Sequence, residues 1–453
     1  MQPLSVLLAF AAIATTMAID TASASDTFKA PLNPDVTKFP SGKRLVAYYA
    51  NWGTYKNPNY PGHPDNNGPP YENYQPADLP IKLLTDVTYA FYTIANKTTE
   101  TMSEVPVSND NFSDFEQQFN SKNSDNPSIH SVSPPDAPGQ AYYGNFGQFM
   151  KLRKAGNKFN FGLAIGGWTG STYFSSAMRT PELFVDGIMD VLKQYPGLFN
   201  RVDIDWEYVQ DTPEDNYGNG NEASPDDPAN FAKFLEILRN RLDAAGLTKF
   251  EITGCVTPNP ARMTALPFPA MIKYLDYFNV MTYDFKSSAW GDEISGPHSN
   301  VYTVEPYAHF SVDLAVKAYL GYGVPASKIN IGVAMYSQVF GNTTGINQPT
   351  NGPGSDSYNT QCPSGNCDYS QIPLAGSTEY WDSASKSSYT YNPTTMDLLA
   401  YDSVYAVYEK CQYVWDHGLA GIIAWEASND VRDSKNRRSC LRHEQMLVKG
   451  SAT

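Results

Sequence analysis

Asp203, Asp205 and Glu207 stand at every second position of the segment FNRVDIDWEY, residues 199–208. Val202, Ile204 and Trp206 lie between and before them, so apolar and acidic residues alternate as they do on a strand with one buried face. Side chains at i, i+2 and i+4 share a strand face, which predicts three adjacent carboxyl groups. Carboxyl groups that close cannot all ionise freely, and at least one must keep its proton to higher pH. A carboxylic acid still protonated near neutrality is what acid-catalysed cleavage of a glycosidic bond requires. An acidic triplet also reads as a solvated loop or a calcium site. The intervening apolar residues oppose the first, and no glycine-centred calcium loop surrounds the acids to support the second.

The elements that must position these acids follow from apolar patterning. Segments 44–52, 86–94, 159–168, 199–208, 250–258, 276–285, 328–337 and 419–427 read as strands. Helical periodicity appears at 145–157, 181–195, 228–245, 267–275, 311–323 and 402–418. Eight strands separated mostly by helices favour a closed (β/α)8 TIM barrel within the α/β class. An open doubly wound sheet is the rival, but Gly166-Gly167 lacks the G-x-G-x-x-G frame. In the barrel, the C-terminal strand ends bring Trp168, Glu207, Tyr283, Asp284 and Trp425 to one face. Residues 53–80, 96–140 and 209–227 read as loops, and 338–390 as an inserted subdomain of short strands within the 44–430 barrel.

Acidic residues outnumber basic ones 47 to 32, a net charge of −15 that argues against a nucleic-acid partner and leaves a neutral polysaccharide open. The 31 Tyr and 7 Trp exceed what a core needs and suit a cleft for flat, neutral sugar rings. Residues 1–24 read as a secretory signal ending in Ala22-Ser23-Ala24, with 25–43 a polar leader and 431–453 a C-terminal tail. Signal removal predicts a secreted, extracellular protein with no membrane anchor. Cys362 and Cys367 enclose the turn-like PSGN and are the expected local disulfide. Cys411 and Cys440 then pair in the C-terminal region and Cys255 stays a buried thiol, although four half-cystines allow three pairings. The six histidines are scattered, so neither a metal site nor a cofactor is expected.

The chain resembles the family 18 glycoside hydrolases, the chitinase family. The hallmark D-G-x-D-x-D-W-E appears as Asn200 to Glu207, S-x-G-G as Ala164-Ile165-Gly166-Gly167, and M-x-Y-D as Met281 to Asp284. Tyr48 matches the first-strand tyrosine, and Trp425 the eighth-strand tryptophan that floors the sugar subsite. The likeness spans about 44–430, including a small α+β insertion subdomain after the seventh strand, where Trp381-Asp382 and Tyr389 fall. In some members that domain walls a deep cleft, which implies processive or end-directed cleavage.

The resemblance implies hydrolysis of β-1,4 bonds between N-acetylglucosamine units of chitin or chitooligosaccharides. The reaction it implies is retaining, with the substrate's 2-acetamido oxygen as nucleophile. Glu207 would be acid and then base, Asp205 would orient the acetamido N–H, Asp203 would share its proton, and Tyr283 would bind the acetamido carbonyl. Tyr48, Trp168, Met281, Asp284, Trp290 and Trp425 would line the substrate site, although each aromatic and Met281 also reads as packing. Two alternatives stay open: an endo-β-N-acetylglucosaminidase acting on N-glycan cores, and a non-hydrolytic, lectin-like chitin-binding barrel. Membership of a larger assembly is also open. Four departures stand out. Asn200 and Arg201 replace Asp and Gly at the strand's entrance, where they affect packing rather than chemistry. Ala164 replaces a serine beside Asp203, and Gln338 an arginine at a sugar subsite.

Overall fold

The computed structural model describes residues 26–27, 42–55, 74–95, 105–119, 136–212, 221–352, 362 and 365–431. The expected signal 1–24, most of the 25–43 leader, Cys440 and the tail beyond 431 lie outside the described residues. Strands β1 (Arg44–Ala50), β2 (Asp86–Ile94), β3 (Asn160–Gly166), β4 (Arg201–Asp205), β5 (Glu251–Val256), β6 (Tyr277–Val280) and β7 (Ile329–Ala334) pair in parallel, each with the next. Five insertion strands follow: β8 (Tyr336–Phe340), β9 (Asn366–Asp368), β10 (Thr378–Asp382), β11 (Ser387–Asn392) and β12 (Asp397–Tyr401). The last barrel strand, β13 (Gly421–Trp425), pairs in parallel with both β7 and β1 and closes the ring. All eight expected barrel strands form.

The expected helices form as α1 (Gly144–Lys154), α2 (Pro181–Gln194), α3 (Asp227–Ala244), α4 (Phe268–Tyr274), α5 (Val312–Gly321) and α6 (Val404–Asp416). Their starts follow from local chemistry. Pro181 opens α2, where its missing N–H costs nothing. Ser311 caps α5 by accepting from Leu314 N at 3.0 Å, and Ser403 caps α6 by accepting from the Tyr405 and Ala406 amides. Outward strand residues such as Leu45, Val87, Phe161 and Ile252 join Phe184, Leu235 and Val407 of the helices in one buried layer. That layer supplies most of the apolar burial.

Inward positions are more polar. At the barrel floor Arg201 Nη1 donates to Asp86 Oδ1 at 2.7 Å, and Arg44 bridges Asp86 and Glu251. Burial alone would raise the Asp86 carboxyl, but Arg201 and Arg44 hold it below the usual carboxylate range. Arg201 fits here because Gly162 faces it, and a Cβ there would stand 2.5 Å from its Nε. Asn200 Oδ1 accepts from Phe161 N at 2.6 Å, tying β4 to β3. Both departures at the entrance of the acidic strand therefore serve packing.

The insertion is an antiparallel sheet ordered β10-β11-β12-β8-β9, with Asp26–Thr27 of the leader paired along β10. Its strands run from Tyr336 to Tyr401, wider than the expected 338–390, because SSYTYN and DLLAY of β11 and β12 pair with each other and with their neighbours. Cys362 and Cys367 are disulfide-bonded, as expected. Cys411 is buried within α6, and its expected partner Cys440 is outside the described residues. No helix among the described residues is long and apolar enough to cross a membrane.

Candidate active site

Strand β4 carries Arg201, Asp203 and Asp205 inward, and its ladder ends at Asp205. Trp206 turns outward, stacks on Phe174 with ring centroids 5.1 Å apart, and meets Phe231 edge-on. That anchor commits the neighbouring Glu207 to the barrel mouth, beyond the strand rather than on it. Ser171 Oγ accepts from Glu207 N at 2.9 Å, and Asn221 Nδ2 donates to Glu207 O at 2.9 Å. The Gly166 backbone, at φ +113°, explains the glycine of the third-strand motif: a Cβ there would meet Asp205 O at 2.2 Å.

Asp203 is fully buried and accepts from four directions. Tyr48 Oη donates at 2.7 Å, Asn279 Nδ2 at 3.0 Å, Cys255 Sγ at 3.4 Å, and Thr253 Oγ1 as well. Asn330 Nδ2 in turn donates to Asn279 Oδ1 at 2.9 Å, fixing which way that amide faces. The missing serine at Ala164 therefore leaves no deficit at Asp203, because β5 and β6 supply the donors.

Asp205 is 4% exposed, and its Oδ1 has no hydrogen-bond partner among the described residues. Burial, then the negative charges of Glu207 and Asp203, push its carboxyl well above the ordinary aspartate range. Burial also pushes Glu207 up to about 7; Asp284 adds to the rise, while a hydrogen bond from Tyr208 and the charge of Arg262 oppose it. Arg262 lies 4.7 Å from the centre of the Tyr208 ring. A half-buried Glu207 that holds its proton near neutrality can protonate a leaving oxygen.

The mouth gathers Tyr48, Met281, Tyr283, Cys255 and Tyr336 into one buried cluster, with Trp425, Phe91 and Tyr208 packed against it. Trp425 meets Tyr48, Trp52 and Phe91 at centroid distances of 5.7, 6.1 and 5.4 Å, so these rings form a continuous aromatic floor. Asp284 takes a left-handed backbone at φ +57° and accepts from Gln338 Nε2 at 2.7 Å. Gln338 thus holds the cleft carboxylate through a neutral amide. Trp168 and Trp290 stand away from the cluster, 44% and 61% exposed. Trp168 approaches Tyr208 at 6.5 Å, and the turn bearing Trp290 is tied to β8 through Ser288 Oγ donating to Val339 O at 2.6 Å.

The sequence reading did not single out Thr253, Asn279, Ser171, Asn221, Trp52, Phe91 or Arg262. Asn279 had a usable signal, since it shares strand parity with Met281 and Tyr283. Among the described residues, no group of His, Cys, Asp and Glu is disposed to hold a metal ion.

Endochitinase 1 of Metarhizium robertsii is 31% identical over 404 residues, covering 87% of this chain and 83% of that protein. Chitinase 1 of Aphanocladium album is 31% identical over 410 residues, covering 88% and 84%. The catalytic domain of psychrophilic chitinase B from Arthrobacter TAD20 superposes with a TM-score of 0.74 at 25% identity, over 93% of this chain and 98% of that one. The profile of glycosyl hydrolases family 18 matches residues 44–430, and the chain belongs to that family.

Proposed function

We propose that this protein is a secreted chitinase that cleaves β-1,4 bonds between N-acetylglucosamine units with retention, using the substrate's own acetamido oxygen as nucleophile. The observation that carries the reading is the orphaned Oδ1 of buried Asp205 beside a Glu207 that holds its proton to about pH 7. A buried acceptor left unpaired costs free energy, and an acetamido N–H laid against Asp205 would remove that cost. The same contact turns the acetamido oxygen toward C1. Glu207 protonates the glycosidic oxygen as that bond breaks and the C1–oxygen bond forms. Water then attacks C1 of the oxazolinium as the bond from C1 to the acetamido oxygen breaks, and Glu207 takes a proton from that water.

Asp205 balances the positive charge that develops on the acetamido nitrogen. Asp203, held by its four donors, is the neighbour with which Asp205 shares a proton. Tyr283 hydrogen-bonds the acetamido oxygen, Trp425 stacks beneath the reacting sugar, and Trp52 and Phe91 extend that floor. Tyr48, Met281 and Asp284 complete the pocket, and Trp168 and Trp290 are outer sugar platforms. A nucleophile delivered by the substrate itself acts at high effective concentration, an advantage of several, roughly 7 or more, kcal/mol when well oriented. The names of the fungal relatives support chitin as the substrate. The insertion sheet beside β7 supports a walled cleft.

Incubating the purified protein with N-acetylglucosamine tetramer or hexamer across pH 4 to 8 tests this directly. Release of shorter N-acetylated sugars is expected. Release only from N-glycan cores would transfer the activity to the endo-β-N-acetylglucosaminidase reading, and tight binding without release would favour the lectin-like one.

A further inference from the structure

Between α6 and β7, where the insertion sheet returns to the barrel, lies a buried ion pair that the chemistry above does not use. Lys410 of α6 is 0% exposed and Asp402, just past β12, is 1% exposed. Lys410 Nζ donates to Asp402 Oδ2 at 2.6 Å, to Gly332 O at 2.9 Å and to Ser299 Oγ. All three ammonium hydrogens are thereby used. Asp402 Oδ2 also accepts from Ala334 N at 2.9 Å. Ser299 Oγ lies 2.8 Å from Thr282 O and 3.0 Å from Asp402 Oδ2, and its one hydrogen can serve either.

These contacts end on β7, at Gly332 O and Ala334 N, and through Ser299 on Thr282 O of the backbone that carries Tyr283. Thr282 immediately precedes it, and Thr282 Oγ1 accepts from Gly332 N at 2.7 Å and donates to Gly332 O at 3.1 Å. Gly332 lies against the Tyr283 ring so closely that a Cβ would stand 2.6 Å from Tyr283 Cε1. Gly332 O and Ala334 N belong to β7 and Thr282 O to the segment just past β6, and a single buried cation–carboxylate pair, with Ser299, ties the two together. Asp402 follows the last insertion strand directly, so the same pair pins the exit of the insertion sheet to the barrel.

We propose that Asp402 and Lys410 are positioning residues that fix Tyr283 in register with Glu207 and couple the seating of the insertion sheet to the reacting centre. A buried ion pair is weak support for stability, since an apolar replacement is commonly as stable. Its use here is geometric: it holds Thr282, which precedes Tyr283, and Gly332, which packs against the Tyr283 ring, in fixed relation to each other. The inference rests on the proposed role of Tyr283 in substrate-assisted hydrolysis.

The test uses Lys410→Met and the doubly substituted Asp402→Asn/Lys410→Met. Lys410→Met leaves a buried unpaired carboxylate and lowers Tm. The double variant is neutral, keeps an acceptor for Ala334 N, and recovers Tm. On N-acetylglucosamine tetramer, kcat should fall about 10- to 100-fold in both, with KM within about threefold, as expected of a small misplacement of a catalytic group. Recovery of kcat along with Tm in the double variant would overturn the proposal, because a purely structural pair behaves that way. A crystal structure of the double variant supplies a readout independent of turnover: a displaced Tyr283 ring is expected, and an unmoved ring overturns the positioning role. A wild-type protein that fails to cleave the tetramer would sink the hydrolase reading alone, since the ring displacement is scored without it.

Discussion

Glu207→Gln separates the proton-holding role of this side chain from its packing. In the folded protein the carboxyl is pushed from an ordinary 4.5 up to about 7, chiefly by burial. A raised folded value means that the native state binds the proton more tightly than the unfolded state. Stability therefore falls as pH rises from about 4.5 to about 7, and the loss is complete above that window. The difference of about 2.5 units corresponds to about 3 kcal/mol of destabilisation in the ionised state. Glutamine is of similar shape and does not ionise. The variant should therefore match the wild type at pH 4 and exceed it at pH 8, and removing a negative charge beside Asp205 acts in the same direction. For a chain of this length the gap corresponds to a Tm higher by about 3 to 4 °C at pH 8. Thermal unfolding of both proteins at intervals from pH 4 to pH 8 measures it. A Tm difference that is constant with pH, or that shrinks as pH rises, would refute the reasoning. Turnover should be lost across the whole range while oligosaccharide binding persists.

Three further outcomes follow from the same geometry. Tyr283→Phe should lower kcat by about 10²-fold with little change in folding, since it removes the hydrogen bond that holds the acetamido oxygen on its line of attack at C1; steady-state kinetics on the tetramer check it. Asn279→Ala removes one of the donors to buried Asp203 and strips Asn330 of its acceptor, and denaturant unfolding should show a loss of about 1 to 3 kcal/mol. Trp425→Ala opens the aromatic floor under the reacting sugar and should raise KM about tenfold, read from kcat and KM on the tetramer and hexamer.

The barrel was legible because each strand is an apolar run closed by turn residues, and the catalytic face followed once the strand ends were lined up. Glu207 itself was legible by parity, although it sits past the end of the ladder, where Trp206 rather than strand pairing directs it. The support of Asp203 was not legible. Thr253, Asn279 and Tyr48 come from three different strands, and only the closed barrel brings them within hydrogen-bond distance of one carboxyl. Ala164, where the family pattern has a serine, therefore leaves Asp203 with no shortage of donors in the fold. Arg201 shows the same limit: its partner Asp86 is 115 residues away, and nothing local announces the pair. The full extent of the insertion was not legible locally, since DLLAY of β12 lies past the expected end at 390 and joins the sheet only through its antiparallel pairing with β11 and β8.

The central claim is that the substrate's acetamido group is the nucleophile, and the configuration of the first-formed product tests it most directly. Proton NMR of N-acetylglucosamine tetramer during the first minutes of hydrolysis resolves the two anomers before they equilibrate. The account predicts that the new reducing end appears as the β-anomer and that the all-glucose β-1,4 tetramer, which lacks the acetamido group, is not cleaved. An initial α-anomer, or comparable cleavage of the glucose tetramer, would contradict it.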